Sequence, residues 1–245
     1  MNQEGRQGRR SATERMREQR DKERASGKRT RNLKAGGVVV ALLAVAGVVG
    51  AVINQQSGEG GDTVDTKPIT VGTKSAPAKL TVYEDFRCPA CRQFEQEFRS
   101  TIRGLEKKGK LKAEYHLVTI IDDNMGGSGS HRAANAAMCA KDEGRFREFH
   151  DVLYRNQPGE QDDAFASDKT LIKLAGKVKG LDGPRFRKCV TKGTHDAWVQ
   201  KTGAAFKKSG HQATPTVLLD GENVYGNRTE PLTTQGLKKM VEAKS

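Results

Sequence analysis

The stretch "LTVYEDFRCPACRQF", residues 80–94, decides how this chain folds. It opens on an apolar, β-branched and aromatic run, Leu80 to Phe86, that reads as a strand. Two cysteines three apart follow, Cys88 and Cys91, and then Phe94, Phe98, Ile102 and Leu105 recur at near-helical spacing. The order is strand, cysteine motif, helix. Downstream, "KAEYHLVTII" (112–121) reads as a second buried strand, completing a β-α-β unit of the kind whose crossover favours parallel pairing. A Gly/Ser loop, "DDNMGGSGS", closes that unit, and residues 131–207 read as a mostly helical insertion, with an Ala-rich start and apolar positions at Phe146, Phe149, Val152 and Leu153. Finally "TPTVLLDGENVYG" (214–226) offers a strand, a four-residue turn "DGEN" and another strand, and Thr233 or Thr234 is placed to cap a last helix through Val241. The expected class is α/β, ordered β-α-β, helices, β-β-α.

Upstream, the composition changes sharply. The chain of 245 residues carries a net +13, of which residues 1–34 supply +7 from twelve Lys/Arg against five Asp/Glu. Residues 36–53, "GGVVVALLAVAGVVGAVI", contain no charge and no strong hydrogen-bonding side chain, enough as a helix to cross a bilayer's hydrocarbon layer. We expect one uncleaved signal-anchor helix over residues 35–53, because the n-region is too long for a cleaved leader and "GAVINQQ" lacks a small-x-small site. "GKRTRNLK" abuts one end while residues 54–73 hold only Lys67, so the tail 1–34 is expected inside the cell membrane and the large domain outside. The tail reads as a solvated basic segment near anionic headgroups; with acids interleaved and no aromatic to stack on a base, nucleic-acid binding is not expected. Residues 54–67, Gly/Ser/Asp-rich, read as a flexible linker, and the folded domain is expected over 68–245.

Four cysteines outside the cytoplasm permit two disulfides. A zinc site needs further ligands at fixed spacing, and Cys139 and Cys189 each stand alone with no His-x-His or His-x3-His nearby. A purely structural bridge across two residues would constrain the unfolded chain little. Redox chemistry is the best reason for the pair. Pro89 suits the first helical position, which sets the Cys88 sulfur at a helix N-terminus where unpaired N–H groups favour a thiolate, with Arg87 and Arg92 as possible added positive charge. Cys88 is therefore the expected acidic, exposed nucleophile, and Cys91, one turn further in, the resolving thiol. Cys139 and Cys189, fifty apart in helical segments, are expected as a structural disulfide; two buried free thiols or a second exchange pair are the alternatives. The five histidines read as surface or packing residues, with His150 bonding locally, and Trp198 and Phe206 read as core.

With "CPAC" at the first helix, a helical insertion and "ATPT" before the next strand, residues 68–245 resemble the DsbA-like thiol-disulfide oxidoreductases of the thioredoxin superfamily. "DFRCPACRQFE", "GRFREFHDVLY" and "TPTVLLDG" are each similar to the membrane-tethered members of Gram-positive and actinobacterial type. The resemblance implies a cis bond before Pro215, facing the active-site disulfide, with Thr214 lending backbone groups to an extended substrate strand. It implies exported unfolded or reduced proteins as substrates, no organic cofactor, and reoxidation by a membrane partner of DsbB or vitamin K epoxide reductase type. Two departures stand out. The dipeptide between the cysteines is Pro-Ala where the best-known strong oxidants have Pro-His, and the position six before the nucleophile, where related folds often bury an acid, is Val82. Glu84 shares its strand parity and is either the proton acceptor for Cys91 or an exposed strand-end glutamate; Asp85 is the weaker candidate. The competing functions are a reductase or isomerase, for instance one acting on apocytochrome c thiols, and a non-catalytic or copper-handling thioredoxin-like module.

Overall fold

A computed structural model of the chain describes residues 66–244, so the expected tail, anchor helix and most of the linker lie outside the described residues. Among the described residues, no helix is long and apolar enough to cross a membrane. The chain runs β1 (Ile69–Gly72), β2 (Ala78–Glu84), α1 (Pro89–Lys107), β3 (Leu111–Leu117), α2 (Ile120–Met125), α3 (Gly129–Asp142), α4 (Phe146–Arg155), a 3-10 turn (Ala164–Ala166), α5 (Asp168–Ala175), α6 (Pro184–Lys192), α7 (Asp196–Lys208), β4 (Thr216–Leu219), β5 (Glu222–Asn223) and α8 (Thr234–Glu242). The sheet order is β1-β3-β2-β4-β5, with β2 and β3 parallel and the other pairings antiparallel. The β-α-β unit, the helical insertion and the closing β-β-α are thus as expected.

Four details differ, each for a physical reason. The edge strand β1, "ITVG", is four residues long, too short for its alternation to register against the neighbouring linker composition. Strand β2 ends at Glu84 rather than Phe86, because the Asp85 carboxylate accepts the Arg87 amide at 2.8 Å and turns the backbone. The β-branched run "VTII" suggested a continuing strand, yet Ile120 and Ile121 begin α2, where the Ile121 amide donates to Asp85 Oδ2 at 2.9 Å. The hairpin turn is two residues rather than four: Asp220 (φ 51°) and Gly221 (φ 94°) both adopt the left-handed region, as tight hairpins with native twist require. At the C-terminus, Thr233 caps α8 by accepting the Gly236 amide at 2.9 Å.

Register sorts the sheet into two faces. Leu80, Val82 and Glu84 lie beside Ala113, Tyr115 and Leu117, and all six are buried. Helix α1 covers this face through Cys91, Phe94, Phe98, Ile102 and Leu105, a 3-4 stripe that is at most 2% exposed. Helix α4 completes the cover, its His150 ring packed against Tyr115 and Phe86. On the opposite face Tyr83 stacks on His116 at 4.4 Å and meets Phe206 of α7 at 5.5 Å. Trp198 and Phe206 are buried, as expected. Within the insertion, Cys139 of α3 and Cys189 of α6 are joined in a disulfide.

Candidate active site

Cys88 occupies the N-cap of α1 in an extended conformation, with Pro89 at the first helical position. Its carbonyl accepts the Arg92 amide at 3.2 Å, the first bond of the helix. The sulfur therefore lies where the free amides of the first turn converge. Among the described residues, Cys88 and Cys91 are both free thiols. The Cys88 thiol is lowered to about 6, chiefly by a hydrogen bond from the Cys91 side chain, with smaller help from the Thr214 side chain and the Cys91 and Ala90 amides against the opposing effect of burial. Burial, then the neighbouring Cys88 sulfur, pushes the Cys91 thiol well above the ordinary range. The two thiols are driven apart: one ionises readily and the other holds its proton.

Two expectations need correction. Cys88 is only 6% exposed rather than fully open, because the loop bearing Thr214 closes over it: the sulfur lies 3.4 Å from the Thr214 carbonyl oxygen, to which the protonated thiol donates. The Thr214–Pro215 bond is cis. Nor does Arg87 supply charge to the thiolate. Its guanidinium is buried and turned away, donating to Asp122 Oδ1 at 2.6 Å and the Gly126 carbonyl at 2.8 Å, and pairing with Asp163 at 3.1 Å. Arg87 ties the active-site turn to α2 and to the loop before the 3-10 turn. Arg92 is half-buried and does not figure in the Cys88 shift either.

Glu84 is fully buried, so the reading of an exposed strand-end glutamate does not hold. Its charge reaches Cys91 and helps keep that thiol protonated. His150 does meet its neighbour in sequence, with Nδ1 3.7 Å from Asp151 Oδ1, and its Nε2 also lies 2.7 Å from Glu84 Oε1, 66 residues away. Asp85 is also fully buried, and its carboxylate accepts from Ser130 Oγ at 2.7 Å as well as from the Arg87 and Ile121 amides. Burial nevertheless pushes it up to about 7.

Sequence reasoning missed Gln157. Its buried side-chain amide donates to the carbonyls of Phe86 at 2.8 Å and Cys88 at 3.0 Å, fixing the turn from the insertion side. A lone glutamine at a helix end gives no periodic signal, and nothing in "FREFHDVLY" points His150 toward Glu84. Neither Cys88 nor Cys91 belongs to a cluster of three or more metal-type side chains among the described residues.

This arrangement is a thiolate poised beside a protonated thiol, and the chain's relatives do matching chemistry. A family model described as "Thioredoxin" matches residues 64–243. The chain is 26% identical over 200 residues to a probable disulfide bond formation protein D of Bacillus cereus, covering 79% of this chain and 90% of that protein. Among solved structures, oxidized DsbA of Mycobacterium tuberculosis is 30% identical with a TM-score of 0.61, covering 72% of this chain and 91% of that one. BdbD of Bacillus subtilis, 24% identical with a TM-score of 0.60 over 74% and 94% of the two chains, shares the fold. The chain belongs to the thioredoxin family and, within it, is a DsbA-like thiol-disulfide oxidoreductase.

Proposed function

We propose that this chain is an extracytoplasmic dithiol oxidase, held at the membrane by the helix expected over residues 35–53, that forms disulfides in exported proteins. The observation that carries the reading is the division of labour between the thiols, Cys88 lowered to about 6 and Cys91 raised by burial. A substrate thiolate attacks the Cys88 sulfur of the oxidised enzyme and expels Cys91. A second substrate thiolate then attacks the substrate sulfur of the mixed disulfide and expels Cys88, which leaves readily because it is stable as a thiolate. Two electrons pass from substrate to enzyme, and the protons of the two substrate thiols go to Cys91 and to solvent. The turn bearing Thr214 and Pro215 flanks the sulfur and is suited to hold an extended substrate strand by its backbone groups. Glu84, buried at the end of β2, acts on Cys91 through its charge.

A membrane partner of DsbB or vitamin K epoxide reductase type, coupled to quinone, would return the Cys88–Cys91 pair to the disulfide. The paired test is oxidative refolding of a reduced, unfolded disulfide protein alongside insulin reduction by the same sample. Oxidative refolding at a rate that outpaces insulin reduction supports the oxidase. The reverse ranking assigns a reductase or isomerase, and inactivity in both leaves only a non-catalytic module. Cys88→Ser should abolish exchange and Cys91→Ser should accumulate mixed disulfides with substrate; full activity in Cys88→Ser refutes the assignment.

A further inference from the structure

The sequence offers Cys139 and Cys189 no ligand pattern, but the fold brings a histidine to both. A ring nitrogen of His195 and the two sulfur atoms lie within 4.8 Å of one another. Each side chain comes from a different element: Cys139 from the last turn of α3, Cys189 from α6, and His195 from the turn that leads into α7. Gly193 sets that turn, because its left-handed backbone (φ 61°) ends α6 and lets the Thr194 amide donate to the Cys189 carbonyl at 3.2 Å. Asn135, buried on α3, then fixes the histidine backbone. Its Oδ1 accepts the His195 amide at 2.9 Å, and its Nδ2 donates to the Val190 carbonyl at 3.3 Å. The ring is held too, since His195 Nε2 lies 2.6 Å from Oδ2 of Asp142, one turn beyond Cys139 on α3.

A disulfide makes no use of either group: it needs neither a nitrogen beside its sulfurs nor a carboxylate behind that nitrogen. Two cysteines and a histidine, with the second ring nitrogen held by a carboxylate, are the donor set and outer shell of a zinc site. The sulfurs also have an approach, because Cys139 and Cys189 line a cleft of about 450 Å³ together with Asp142, Glu143, Lys188 and Lys192. Cys139 is 1% exposed whereas Cys189 is only partly buried, so Cys189 is the sulfur with room to turn when the bond opens.

We propose that the reduced Cys139 and Cys189 thiols and His195 form a zinc site, with Asp142 as the outer carboxylate that orients the ring, and that forming the disulfide expels the metal. The site is separate from exchange at Cys88. A dithiol reductant passes two electrons and two protons to the pair, opening the bond and leaving as a disulfide. Zinc(II) then binds both sulfurs as thiolates, and their two protons go to solvent. With Nε2 donating to Asp142, His195 offers the lone pair of Nδ1, and a water entering from the cleft completes the tetrahedron. In the opposite direction a disulfide oxidant takes two electrons from the thiolates, its own sulfurs leave as thiols with two protons from solvent, and the zinc ion, left with one protein ligand, departs. A zinc ion with two thiolates carries no net charge, so Lys188 and Lys192 along the cleft face no added cation. The metal ties α3, α6 and the start of α7 together in the state in which the covalent staple is open.

The test uses the full chain in detergent with Cys88→Ser and Cys91→Ser, so that only Cys139 and Cys189 respond and the outcome is independent of the functional reading above. The protein is reduced with a phosphine, freed of reductant without air, and titrated with zinc(II) against a chromogenic chelator. One zinc per chain should bind to the reduced protein and none to the oxidised. Cobalt(II) in its place should give the near-ultraviolet charge-transfer band of cobalt–thiolate bonds and the strong visible bands of a tetrahedral ion. Asp142→Asn should weaken zinc binding about ten- to a hundredfold, and His195→Ala by more. Zinc should raise the melting temperature of the reduced protein and leave that of the oxidised protein unchanged. A histidine that served only to start α7 would lower the melting temperature of both forms and leave the zinc affinity unmoved. No stoichiometric zinc on the reduced protein, equal binding by the oxidised form, undiminished affinity in either variant, or a cobalt spectrum without the thiolate band overturns the proposal.

Discussion

Ionisation of Cys88 should be visible as pH-dependent folding stability of the reduced protein. The perturbation is Cys88→Ser, which keeps the shape of the side chain and removes its titration. A thiol that moves from 9.0 unfolded to about 6 folded favours the folded state by about 4 kcal/mol when fully ionised, at about 1.4 kcal/mol per tenfold change. The active-site cleft is partly screened by solvent, which trims this to about 2–3 kcal/mol. Because the folded value is depressed, the stabilisation is complete above pH 9 and is lost as pH falls through 6. Urea unfolding of both proteins, kept reduced, at pH 5, 7 and 9 gives the difference directly; Asp85, Glu95 and His150 titrate in both and drop out. The wild type should gain on the variant by about 2–3 kcal/mol between pH 5 and 9, of which about 1 kcal/mol is present at pH 7. By the thermodynamic cycle, that 1 kcal/mol makes the Cys88–Cys91 disulfide about 20 mV more oxidising. A difference that is flat with pH, or that shrinks as pH rises, refutes the thiolate.

Two other substitutions probe the frame around the site. Replacing Cys139 and Cys189 together by alanine opens a covalent loop closed over a separation of 50 residues, and should cost about 4 kcal/mol in the oxidised protein, roughly 8–16 °C in melting temperature; a loss under about 1 kcal/mol contradicts the staple. Arg87→Met leaves Asp122 and Asp163 without their cation and should cost about 3 kcal/mol, the low end for a broken buried pair because Asp163 is partly exposed. The same variant should leave the Cys88 titration in place, since the guanidinium faces away from the sulfur; a titration moved upward would restore the role that its sequence position suggested.

Much of the site was legible in the sequence because its chemistry is local. Cys88, Pro89 and Cys91 sit on one helical turn, so spacing alone placed one sulfur at the helix start and the other inside. The cis bond at Pro215 followed from resemblance and not from spacing, for nothing local in "ATPT" requires it. What escaped was set by contacts between distant segments. The side chain of Arg87 could have faced either way along the turn, and Asp122 and Asp163, 35 and 76 residues on, decide the direction. His150 read as a packing residue with a local bond and Gln157 carried no signal, yet the insertion delivers one to Glu84 and the other to the Cys88 carbonyl. The strand ends were misread for the same reason, because Asp85 draws in the amides that stop β2 and start α2.

The rate of alkylation of Cys88 by iodoacetamide as a function of pH, in Cys91→Ala and in wild-type protein, tests the central claim most directly. In the wild type the rate should be half-maximal around pH 6, and without the Cys91 hydrogen bond the rise should move to higher pH, because that bond is the largest contributor to the shift. A wild-type thiol that titrates near 9, like a free cysteine, would contradict the account.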